Sequence, residues 1–142
     1  HLSDNDMPLP AGLVRTSPWT DLTASGASYD DNYTLDPLFG NTRESMIYSG
    51  EYLGGHSPKE PYISPLFGDF SKLPPMLFQV GGIEMLLSDS VLAEKKAREA
   101  GCKTNITIYE EMFHVFQMGL ERLEESKNAW AEVKRFVEEF EE

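Results

Sequence analysis

Residues 74–116 read PPMLFQVGGIEMLLSDSVLAEKKAREAGCKTNITIYEEMFHVF, and this stretch decides the fold. Met76–Val80 is a short apolar run with a β-branched end, and the two prolines before it stop any helix upstream, so it reads as a buried strand. Glu84 follows just beyond its end. Ser88–Ala100 is rich in helix formers, opens on Ser-Asp-Ser capping candidates and closes at Gly101, the residue type that ends helices in a left-handed conformation. Thr104–Tyr109 (TNITIY) alternates and is β-branched, the mark of a second strand, and His114 comes after it in a loop.

Strand, crossover helix and parallel strand leave the loops after both strands at one edge of a sheet, the edge at which open α/β sheets bind ligands. Neighbouring strands lie about 4.8 Å apart. Glu84 and His114 are therefore expected to meet despite their distance in sequence. A carboxylate set against a histidine is two thirds of a nucleophilic triad, because the acid fixes the imidazole tautomer and stabilises the imidazolium formed when the ring takes a proton from a serine.

The motifs extend beyond this stretch. Ser17–Tyr29 (SPWTDLTASGASY), Leu35–Leu38 (LDPL), Pro61–Gly82 (PYISPLFGDFSKLPPMLFQVGG), Glu84–Ser90 (EMLLSDS), a helix ending in AREAG and the MFHVF run around His114 come in an order and at a spacing that resemble the hormone-sensitive-lipase-like family of α/β-hydrolases, which includes the family IV carboxylesterases. The resemblance covers nearly the whole chain. It implies an α/β fold in which residues 1–142 form the C-terminal part of one α/β-hydrolase catalytic domain, with parallel strands and flanking helices. The triad of that fold runs serine, acid, histidine along the sequence, so the family's acid maps onto Glu84 and its base onto His114. Leu86, Phe113 and Phe116 are candidates for the acyl or alcohol pocket.

The family's oxyanion motif HGGG and nucleophile elbow G-x-S-x-G are absent from residues 1–142. Gly26-Ala27-Ser28-Tyr29-Asp30 lacks the second glycine, and Gly54-Gly55-His56-Ser57 is the oxyanion motif only in reverse. The expectation is that the nucleophile belongs to a missing N-terminal half and that this chain alone is inactive. Ser17 is expected at the same sheet edge as Glu84 and His114, but Pro18 and Trp19 deny it the glycines of an elbow, so it is given a structural role. The resemblance implies a serine carboxylesterase of short-chain acyl esters acting through an acyl-enzyme. A non-catalytic small-molecule receptor on the same scaffold is the alternative, against which the presence of both Glu84 and His114 speaks. Acyl transfer of this kind asks for no cofactor.

Composition narrows the rest. At 40% hydrophobic and 11% aromatic residues the 142-residue chain is a folded domain rather than a disordered one. Twenty-four acidic against twelve basic residues give a net charge of −12, which repels phosphate backbones and excludes nucleic acid as a partner. Cys102 is the single cysteine, so no internal disulfide forms, and a cytoplasmic location is expected. No pair of histidines or cysteines has metal-ligand spacing.

Elsewhere, Ala11–Thr16 reads as a strand ended by Ser17-Pro18-Trp19. Its outer backbone groups should be unpaired or bonded to another chain, since the family's neighbouring strand leads to the absent nucleophile. Asp36 before Pro37 reads as a helix N-cap, Arg43–Leu53 as a helix, and Asp89 as a cap or an acid behind the triad. Ala129, Trp130, Val133, Phe136, Val137 and Phe140 form one apolar stripe on a terminal helix that should cover the sheet. The resemblance also implies a homodimer through the edge of strand 104–109.

Overall fold

The computed structural model describes residues 2–40 and 50–140. Strands β1 (Leu13–Thr16), β2 (Met76–Gly81) and β3 (Thr104–Tyr109) form a parallel sheet in the order β1-β2-β3. The register sets Thr16 against Gln79, Gln79 against Thr107 and Gly81 against Tyr109. Two short helical turns, α1 (Ser28–Asp31) and α2 (Gly50–Leu53), precede the two long helices, α3 (Leu87–Glu99) and α4 (Glu124–Glu138). The greater part of the helix expected over Arg43–Leu53 lies outside the described residues; the last four residues of that range form α2.

Burial of β2 explains its composition. All six of its residues are buried, as a central parallel strand requires when both faces are covered. Met76 and Phe78 pack with Phe70, Ala93 and Ala97, so one face lies against α3. On the other, the Gln79 amide donates to the Ala129 carbonyl (2.8 Å) and to Glu132 (2.7 Å), which pins α4 over the sheet. A polar side chain at 0% exposure is tolerable because it is hydrogen-bonded. Tyr29, Met85 and Leu86 make a second core under the loop that follows β1.

The strands begin and end close to expectation, β1 starting at Leu13 rather than Ala11 and β2 running on to Gly81. Among the described residues β1 pairs with β2 alone, and so does β3. Gly101 takes φ +87 where α3 stops, which only glycine adopts without strain. The terminal helix departs from its expected stripe: Ala129 is buried, but Trp130 and Val137 are half exposed. The Trp130 indole N–H instead donates to the Gln117 carbonyl at 3.0 Å, tying α4 to the preceding 3₁₀ turn, Phe116–Arg122.

Candidate active site

The three strand ends put Ser17, Glu84 and His114 at one edge of the sheet. Ser17 directly follows β1, its N–H donating to the Gln79 carbonyl at 2.8 Å in continuation of the ladder. After β2 the chain turns so tightly that the Gly81 N–H donates back to Glu84 Oε1 at 2.5 Å. The loop after β3 lies against that turn: Gly82 N–H reaches the Tyr109 carbonyl (2.8 Å), and Ile83 N–H the Met112 carbonyl (3.3 Å). These contacts bring His114 Nδ1 to 2.9 Å from Glu84 Oε2.

The carboxylate is wholly buried, whereas the imidazole keeps 17% of its side chain exposed. Burial of an ion is costly unless its oxygens are satisfied. Here each oxygen is. Oε1 accepts from Gly81 N–H and from the Ser17 hydroxyl (2.8 Å), and Oε2 faces the ring. An acceptor at Nδ1 requires the proton on that nitrogen and leaves Nε2 as the acceptor. Phe39 packs edge-on against the ring, centroids 4.5 Å apart, and fixes its plane.

A clasp from the segment after β1 holds the acid turn. Asn32 Nδ2 donates to the Gly82 and Glu84 carbonyls (3.1 and 2.9 Å). Asp36 Oδ2 accepts from Met85 N–H at 2.8 Å, while its Oδ1 accepts from Leu38 and Phe39 N–H in the cap-like turn expected of an Asp-Pro sequence. Ser28 donates to the Met85 carbonyl at 2.6 Å and accepts from Ser88 N–H at 2.9 Å.

Two pocket expectations need correction, and of the two readings given for Asp89 only the cap falls. Asp89 does not cap its own helix; its Oδ2 accepts the N–H groups of Thr20 (2.6 Å) and Asp21 (2.8 Å), anchoring the loop beyond Ser17. Burial pushes its carboxyl up to about 6, against the pull of those same hydrogen bonds. Leu86 and Phe116, taken as pocket residues, are core: Leu86 is 1% exposed and packs on Tyr29 and Met85, and Phe116 is fully buried beside Tyr109. Of the three pocket candidates, Phe113 alone retains partial exposure. A hollow of about 250 Å³, lined by Met76, Thr104, Glu132 and Phe136 among others, lies at the opposite end of the strands and shares nothing with the Glu84–His114 pair.

Residues 1–118 match a family model described as the alpha/beta hydrolase fold, so the chain belongs to the α/β-hydrolase family. Over 115 residues it is 39% identical to an acetyl-hydrolase of Streptomyces hygroscopicus, a match covering 81% of this chain and 38% of that protein. Over 129 residues it is 35% identical to an esterase of Acinetobacter venetianus, covering 91% and 43%. It superposes with a TM-score of 0.89 on an esterase from the bacterial hormone-sensitive lipase family, at 39% identity over 96% of this chain and 46% of the other. A hormone-sensitive lipase from a metagenome library gives 0.87 at 37% identity, covering 95% and 45%. These neighbours put the chain in the hormone-sensitive-lipase-like branch, as the motifs implied. The chain spans less than half the length of each of these relatives.

Proposed function

We propose that this chain supplies the acid and the base of a serine carboxylesterase that cleaves short-chain acyl esters. One observation carries the reading: the 2.9 Å contact between a fully buried Glu84 and the partly exposed His114, with Nδ1 turned to the acid. Relatives named acetyl-hydrolase and esterase support the same chemistry. His114 Nε2 takes the proton from a serine hydroxyl as it attacks the ester carbonyl, and Glu84 stabilises the imidazolium that results. The ring then returns the proton to the departing alcohol. In the second half, Nε2 activates water against the acyl-enzyme.

The serine and the oxyanion donors come from a segment outside residues 1–142, which hold neither G-x-S-x-G nor HGGG. On their own these residues are expected to hydrolyse nothing. The test is the turnover of p-nitrophenyl acetate and butyrate by the full protein and its His114→Ala variant. Loss of about 1,000-fold or more is expected on removing the general base. Equal rates would take His114 out of the chemistry, and ligand binding without turnover in the unaltered protein would favour the receptor alternative.

A further inference from the structure

Ser17 touches both halves of the acid–base pair. It is 3% exposed, sits at φ +45 at the end of β1, and its hydroxyl lies 2.8 Å from Glu84 Oε1 and 3.1 Å from the backbone nitrogen of Val115, the residue after His114. The direction of both bonds is forced. A carboxylate oxygen can only accept and a backbone N–H can only donate, so the hydroxyl gives its proton to Glu84 and receives one from Val115. One oxygen thus joins the loop after β2 to the loop after β3 from a third element. Val115 is itself at φ +48, a conformation unfavourable for a β-branched residue, and its bond to Ser17 helps hold it there.

We propose that Ser17 is a positioning residue of the esterase site. This rests on the functional reading above. With Ser17 and Gly81 both on Oε1, the carboxylate cannot rotate without losing two donors, and Oε2 is the oxygen left to hold Nδ1. Ser17 is not poised as the nucleophile: its hydroxyl donates to Glu84 Oε1, whereas the ring is held by Oε2. It acts through Glu84 and sets the imidazole's aim, so it should govern turnover rather than ester binding.

The test compares Ser17→Ala and Ser17→Gly in the full protein with p-nitrophenyl butyrate. Glycine removes the hydroxyl while relaxing the positive φ, so it serves if the alanine variant fails to fold. Both should lower kcat about 10-fold, the scale of one hydrogen bond to a charged group, with KM within about twofold. Introduced beside Glu84→Ala, the same substitutions should change kcat by less than about twofold, because their route of action has gone. The His114 Nδ1 proton resonance should also move in Ser17→Gly. Unchanged kcat in both variants, or an equal loss with and without Glu84, overturns the proposal. So does a loss as deep as that of His114→Ala with no acyl-enzyme burst, which would make Ser17 the nucleophile. Full activity of His114→Ala would instead overturn the functional reading, so the two failures are distinct.

Discussion

Asn32 holds the main chain of the residue on which the site turns: one side-chain nitrogen donates to the carbonyls of both Gly82 and Glu84, at 3.1 and 2.9 Å. The amide is buried at 8% exposure, and it spans from the end of α1 to the turn after β2. Removing it leaves two carbonyls without that donor, in a turn already crowded by the loop after β3. Asn32→Ala should cost about 1–3 kcal/mol of stability. Asn32→Asp should cost more, since it sets a carboxylate oxygen against two carbonyl oxygens. Urea unfolding of the full protein checks the order, and a stability equal to wild type in the aspartate variant would show that the clasp is not needed.

The sheet was legible in the sequence because its signals are local and periodic. TNITIY alternates, MLFQV is apolar but for Gln79, and the proline pair and Gly101 mark the boundaries, so the parallel pairing of β2 with β3 and the meeting of Glu84 with His114 follow from the strand–helix–strand order. The clasp was not legible. Ser28, Asn32 and Asp36 act through one or two bonds each to main-chain groups about 50–60 residues away, and short polar side chains in a loop carry no period that would reveal such a partner. Asp89 stays open between two readings in the sequence for a related reason: an acid in the first turn of a helix looks like a cap, whatever loop packs above it. Pro18 and Trp19 leave Ser17 without the glycines of an elbow, but sequence has no way to show the hydroxyl's two partners.

Asp89 gives the fold a pH dependence whose sign is opposite to that of most aspartates. Burial raises its carboxyl from the ordinary 3.8 to about 6. The native state therefore binds this proton more tightly than the unfolded chain does. Its contribution is complete below about pH 4 and is lost as pH rises through 6, a change of about 3 kcal/mol. Neighbouring Asp21 runs the other way: burial opposes ionisation, but hydrogen bonds from Ser25 and Thr23 together hold it below the usual carboxylate value, so its contribution is lost in acid. Asp89→Asn keeps an oxygen for the Thr20 and Asp21 amides and cannot ionise. It should remove the fall in stability between pH 4 and 7 and leave the variant more stable than wild type at pH 8. Unfolding midpoints across that range test this, and parallel curves for the two proteins would assign the carboxyl no such role.

Gly82 closes the loop pair that carries the site, and there the main chain leaves no room for a side chain. A Cβ on Gly82 would fall within contact distance of the Glu110 carbonyl, and one on the preceding Gly81 would meet that of Met112. Neither obstacle is a flexible side-chain tip; both are backbone of the loop that delivers His114. The same approach permits the Gly82 N–H bond to the Tyr109 carbonyl at 2.8 Å. Gly82→Ala must therefore push the two loops apart, costing about 1–3 kcal/mol as overpacking does, and the displacement is passed to the 2.9 Å contact between Glu84 and His114. Misplacement by about 1 Å can cost on the order of 100-fold in rate. Turnover of p-nitrophenyl butyrate should accordingly fall further than the loss of folded protein explains, and the two are separated by active-site titration. A variant whose rate per folded molecule matches wild type would mean that the histidine loop adjusts without carrying the ring away from its acid.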